Sequence, residues 1–354
     1  MKTSKLAAGA MALIVPSTLC FTGCSIGMFN TINYIYDNAD KYTAGDREIE
    51  DKITKINIDY ASGNVKVRGT DTDSVSVKET TNKDIDEDHQ VHTWVDGDTL
   101  YVRYCASAKM ISFNNIEKSL DVTIPGSREL DDFIINVSSG DLELDDFTTD
   151  SLNSHVSSGN TKIDCSAKVI EHKSSSGDIN LIQRGNSDSV KVKASSGDII
   201  LNHEGDCDSF KIDSSSGKID ITQTGTVNNA DIHSSSGGVK ASFDVVNSLD
   251  VNVSSGAIII DASEVKSLNT KASSGHSEIR LMKAPETSNI ECSSGGIDVS
   301  IPEDSDITVH VHISSGDFNY DLPFTKDGKD YIYGNGTSEM NIKCSSGDVG
   351  FYKI

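Results

Sequence analysis

The chain is short of positive charge. Its 31 Lys and Arg stand against 54 Asp and Glu, a formal net charge of −23. Nucleic acid and anionic lipid headgroups are bound through clustered Lys and Arg, so a surface of this sign makes both poor direct partners. A carbohydrate or cation-bridged partner stays open, and the charge itself keeps an exposed rod soluble. Long apolar runs are also missing: beyond residue 23 nothing approaches the ~20 continuous apolar residues of a membrane span. Aromatic platforms for sugar rings are scarce in the repeats described below, because the single tryptophan, Trp94, lies outside them, although Tyr320, Tyr331 and Tyr333 cluster near the C-terminal end and the stretch from Phe29 to Tyr42 is aromatic. Of seven cysteines, Cys20 lies in the N-terminal leader and Cys24 directly follows it, leaving Cys105, Cys165, Cys207, Cys292 and Cys344. Five is odd, which argues against a complete disulfide framework in an exported chain.

One phrase is abundant. Ser-Ser-Gly is first complete at Ser138-Ser139-Gly140, and its glycines fall at Gly140, Gly159, Gly177, Gly197, Gly217, Gly237, Gly256, Gly275, Gly295, Gly316 and Gly347. Nine of the ten steps between them are 18 to 21 residues. Such a period marks a solenoid, whose units bury their apolar faces only against their neighbours. Apolar residues sit seven, five and three places before each glycine and two and four places after it, as in Phe210, Ile212, Ile219 and Ile221. Period-two alternation is what a strand with one buried face requires. The phase jumps by three across the glycine, which predicts a corner there, and Gly suits a corner because it takes positive φ without a steric penalty. Continued through the corner, the alternation places the first serine outward and the second inward, where a hydroxyl left unpaired would cost roughly 1–3 kcal/mol.

A Ser-Gly phrase also suggests a nucleophile elbow, but that motif is a single turn with a histidine and an acid assembled around it. Eleven copies argue for structure instead. Aspartate follows the glycine at Asp141, Asp178, Asp198, Asp317 and Asp348. Stacked acids could hold calcium, with Asp178 beside Asp198 as the one candidate pair. Yet Lys218, Gly238, Ala257 and His276 interrupt the column, and the glycine-aspartate nonapeptide of calcium-binding β-rolls is absent, so a solvated turn with an Asp-to-backbone bond is the better reading. His155, His233 and His312 recur on an outward phase, about 19 Å apart by strand spacing, beyond one metal's reach. Cys292 and Cys344 share an inward position two coils apart, roughly 10 Å, too far for a bridge. No catalytic residue, cofactor or metal site is read from the sequence.

The N-terminus carries Lys2 and Lys5, an apolar run from Leu6 to Val15 and then small and polar residues, an export signal over 1–23. It ends in Phe21-Thr22-Gly23-Cys24, which resembles the lipobox of bacterial lipoproteins and implies lipidation of Cys24 as the first mature residue. Its removal takes two lysines and no acids, so −23 becomes −25 in the mature chain. Residues 24–50 read as a lipid-anchored tether, 51–126 as an N-terminal β cap with a first imperfect coil around Gly63, and 127–354 as the Ser-Ser-Gly solenoid with an insertion at 317–343. Within the cap, Asp96-Gly97-Asp98 predicts a hairpin turn. The fold expected is all-β, a single-stack parallel β-solenoid of about eleven to twelve coils of ~20 residues, capped at both ends.

Asp59-Tyr60-Ala61-Ser62-Gly63-Asn64-Val65, Asp96-Gly97-Asp98-Thr99-Leu100, Val122-Thr123-Ile124-Pro125 and the repeated Ser-Ser-Gly-Asp together resemble a family of bacterial envelope β-solenoids labelled putative adhesins, a domain family of unknown biochemical function. Tyr42-Thr43-Ala44-Gly45-Asp46 resembles the lead-in of its lipoprotein members. The resemblance covers about residues 45 to 354 and implies a non-enzymatic surface or envelope interaction module on the extracytoplasmic face of a bacterial membrane. Its partner there would be an unidentified envelope component, glycan or protein, and no catalytic residues carry over. The alternative is a carbohydrate-active enzyme or envelope-stress regulatory protein with its site in a cap. Convergence of aromatic and acidic side chains from 320–336 into a pocket would favour that alternative; a flat polar sheet favours the interaction module.

Overall fold

A computed structural model describes residues 31–112 and 116–354; the leader and Cys24 lie outside them. The chain winds into a β-solenoid of about 9 turns. A strand begins two residues after each repeat glycine, and the turn is completed either unbroken, as in Ile219–Ser236, or by a second strand, as in Ile199–Glu204 followed by Cys207–Ser216. The alternation read from sequence sets their faces: Phe210, Ile212, Ile219 and Ile221 are at most 2% exposed. Successive turns pair in parallel and in register, Val190 on Phe210 on Ala230 and Ile199 on Ile219 on Val239. Like residues therefore stack in columns, and one continuous apolar core runs between two sheets.

At each corner the glycine adopts φ between 109° and 142°. A second constraint is tighter still, because a Cβ on any of the eleven repeat glycines would lie 2.0 to 2.4 Å from the carbonyl oxygen of the glycine stacked against it. The corner amide is used as well: Gly217 N–H donates to the Ser236 carbonyl of the next turn at 3.0 Å. A second column of positive-φ glycines, Gly185, Gly205 and Gly225, turns three coils on the opposite side. The buried amides beneath it bond the bent backbone. Gln183 Nε2 donates to the Ala167 and Arg184 carbonyls, and Gln223 Nε2 to those of Gly205 and Thr224.

Three expectations need correction. The solenoid has about 9 turns where eleven to twelve coils were expected, although all eleven repeat glycines stack in a single column. The second serine of the phrase does not face inward. Both serines are exposed in almost every copy, because the inward phase stops three residues before the glycine and the corner begins there. At that last inward position Ser174, Ser214 and Ser234 are buried. Finally, the stacking order is not the chain order. Gly347 sits on Gly295, and Gly316 sits beyond Gly347. The strand Ser338–Ser346 lies between Thr287–Ser294 and Ile307–Ile313, parallel to both. Cys292 and Cys344 are consequently register partners in adjacent strands, not two coils apart.

Both sheets finish in antiparallel strands at the N-terminal end. Val75–Thr81 pairs with Lys118–Pro125 and Arg47–Ile49, while His92–Asp96 pairs with Thr99–Arg103 and Thr43–Ala44. Beneath Gly63 the stack ends on Lys118, whose ammonium is buried against Glu79 at 2.8 Å and donates to the His89 and Tyr104 carbonyls. Glu79 also accepts from the Tyr60 hydroxyl and the Val91 amide. At the other end, Thr325–Asp327 and Asp330–Tyr333 form a hairpin on the outer edge of Ile307–Ile313.

Candidate functional site

The residue after each corner glycine forms a column along the surface. Asn160 N–H donates to Asp141 Oδ1, Asp178 N–H to Asn160 Oδ1, Asp198 N–H to Asp178 Oδ1 and Lys218 N–H to Asp198 Oδ1, at 2.8 to 3.0 Å. Each side chain thus ties its turn to the next, as the bland reading of the aspartates requires, and Asn160 serves as well as Asp. Asp178 and Asp198 are neighbours, but one oxygen of each is engaged by backbone. The column borders a shallow open groove of about 430 Å³, which also takes in Glu143 and Lys162. Lys66 and Lys162 bond the Glu143 carboxylate and hold its pKa below the ordinary range. No group of three potential metal ligands occurs among the described residues.

The three outward histidines are not brought together. His155 stands in register with Lys173, then Lys193, Asp213 and only then His233. His310 Nδ1 meets the Asp330 carboxylate at 2.7 Å. Two histidines outside that pattern are inward. His172 Nδ1 meets Ser154 Oγ at 2.7 Å, and His203 Nε2 meets Ser187 Oγ at 2.8 Å. Burial drives the pKa of His172 down to about 3 and that of His203 to about 4. These pairs carry the atoms of a nucleophile and its base, yet both histidines are at most 1% exposed and no substrate reaches them. The signal was available in the phase, since His172 lies five before Gly177, an inward position.

Aromatic rings gather at each end. Phe318, Tyr320, Phe324 and Tyr331 pack within 4.7 to 6.4 Å of one another, and Phe324 also meets Tyr333 and Phe351. Most contacts are edge to face, and the rings fill one another's space instead of framing a cleft with the acids of that segment. The repeat glycines, singled out by number from the sequence, hold the stack and present no reactive group; the sheets' outer faces carry the polar side chains.

Three solved structures match the chain over most of its length, at low identity and low TM-score. A putative cell adhesion protein from Clostridium sporogenes is 10% identical with a TM-score of 0.19, covering 88% of this chain and 100% of its own. Putative adhesins from Bacteroides fragilis and Parabacteroides merdae are each 12% identical with TM-scores of 0.26; they cover 87% and 91% of this chain and 96% and 100% of their own. No curated protein matches. The family model described as Toastrack DUF4097 matches twice, over residues 53–244 and 181–351. Those two spans run together from 53 to 351, through the strands from Lys55 onward and every Ser-Ser-Gly corner, and the chain belongs to the Toastrack DUF4097 family.

Proposed function

We propose that the chain is a non-enzymatic surface or envelope interaction module, held at the extracytoplasmic face of a bacterial membrane by a lipid on Cys24, with its antiparallel ends acting as caps. One observation carries the reading. The outward side chains are paired from turn to turn into rows along the rod. Glu171 joins Lys191, Lys211 joins Asp231, Asp261 joins Arg280 and Glu264 joins Lys283. Asp208, Asn228 and Asn247 form a further ladder at 2.7 Å per link. Individually such exposed pairs stabilise little. Collectively they present fixed, regularly spaced donors and acceptors, so a long partner binds without first ordering them. The spacing suits an extended polymer such as a glycan better than a compact ligand.

The test is retention of the purified mature chain on isolated wall polymers and on host-type glycans, with and without calcium. Retention on at least one supports the module. Failure on all of them in both conditions overturns it.

A further inference from the structure

The N-terminal end carries a surface that the repeat does not explain. Tyr36 and Tyr42 lie 4.7 Å apart, Tyr42 and Trp94 5.6 Å, and Trp94 stacks on Tyr101 at 5.2 Å. Lys41 Nζ sits 4.8 Å over Trp94, and the Arg103 guanidinium lies 5.4 to 5.9 Å from Tyr36, Tyr42 and Tyr101. Trp94 and Tyr101 are cross-strand partners, and none of the four rings is fully buried. Ile35, the residue before Tyr36 in the chain, is 72% exposed, a large apolar side chain presented to solvent. Half-exposed tyrosine and tryptophan with cationic heads among them is the composition that settles at the headgroup level of a bilayer.

Chain length says what covers this face. Seven residue steps separate Cys24 from Thr31, at most about 25 Å when extended, and Tyr36 follows five residues later. A lipid on Cys24 would hold the patch within one short tether of the membrane, where even millimolar intrinsic affinity gives substantial occupancy. We infer that Ile35, Tyr36, Tyr42, Trp94 and Tyr101 dock on the phospholipid interface to which Cys24 is tethered, fixing the N-terminal end of the rod against the membrane. The inference rests on the lipid-anchor reading. With a mature-chain charge of −25 the contact is with zwitterionic headgroups, and the rings and Ile35 drive it rather than charge.

Trp94 is the only tryptophan, so its emission reports this face alone. The lipidated full chain is reconstituted into phosphatidylcholine vesicles with brominated acyl chains and floated on a density gradient. Flotation that Cys24→Ala abolishes, with blue-shifted Trp94 emission quenched roughly twofold, is the expected result. Ile35→Asp should float equally and keep its melting temperature, because the side chain is exposed, but lose most of the quenching. Flotation with unshifted, unquenched emission overturns the docking and leaves the anchor standing. No flotation overturns both.

Discussion

Cys292 and Cys344 are direct register partners in adjacent parallel strands although 52 residues separate them in the chain. The thiol of Cys292 points at the Gly275 carbonyl and that of Cys344 at the Gly295 carbonyl, each at 3.4 Å, so both fill the same inward niche one turn apart. The relationship records how the solenoid closes: the strand Ser338–Ser346 enters between Thr287–Ser294 and Ile307–Ile313.

Removal of 337–354 should therefore damage more than the last turn. Thr287–Ser294 and Ile307–Ile313 would both lose their shared neighbour and expose edges that recruit other chains. Limited proteolysis of the truncated chain is expected to cut between 296 and 313 and to leave the turns before Gly275 intact. Protection of 296–313 would show that those turns close without the inserted strand.

Lys118→Met should destabilise the protein by about 3–5 kcal/mol, because it leaves the Glu79 carboxylate buried without its counter-ion. Burial depresses the Lys118 pKa and Glu79 opposes that, so the pair survives on mutual compensation. Adding Glu79→Met should recover part of the loss in a urea titration. Equal stability of single and double variants would mean that the ion pair is not what matters at this end.

Acid should weaken the fold through His172 and His203. Both are held neutral, well below the ordinary histidine pKa of 6.5. As pH falls below 6.5 the unfolded chain takes up protons that the folded chain refuses, so stability is full above that value and declines toward pH 3–4. Each histidine contributes a slope of up to about 1.4 kcal/mol per pH unit in that window. The double variant Ser154→Ala with His172→Val, the residue its column partner Val192 already supplies, should show a shallower decline between pH 6 and pH 4 by calorimetry. An unchanged slope would place the proton uptake elsewhere.

In the surface column Asp178→Asn should leave the melting temperature almost unchanged, since Asn160 makes the same bond one turn away. Asp178→Ala should cost about 0.5–1.5 kcal/mol by removing an acceptor from the Asp198 amide. A large loss for the Asn variant in the presence of calcium would instead point to a cation held by the charge.

Much of this architecture was legible because alternation is a local property. The residues around Phe210, Ile212, Ile219 and Ile221 announce their buried face within a dozen positions, and the glycine between them announces the corner. The stacking order was not legible. Gly316 and Gly347 carry the same phrase, and either could rest on Gly295. The choice falls to the hairpin at 325–333, whose strand Asp330–Tyr333 occupies one edge of Ile307–Ile313 and leaves the other for Ser338–Ser346. The serine error came from extending a strand's phase into a corner. Lys118 could have been found, since it shares the inward phase of Leu120, Val122 and Ile124, but a lone lysine is easily taken for surface. The paired rows on the outer faces were less visible than the fold, because contacts such as Glu171–Lys191 form only when turns stack.

That the Ser-Ser-Gly phrase is the corner on which the solenoid is built is tested most directly by one comparison of melting temperatures. At Gly217, φ is 121° and a Cβ would lie 2.0 Å from the Gly197 carbonyl oxygen; at Gly185, φ is 77° and a Cβ would meet nothing within 4 Å. Gly217→Ala should cost several times the roughly 1 kcal/mol of backbone strain expected of Gly185→Ala. Equal melting temperatures for the two variants would contradict the account.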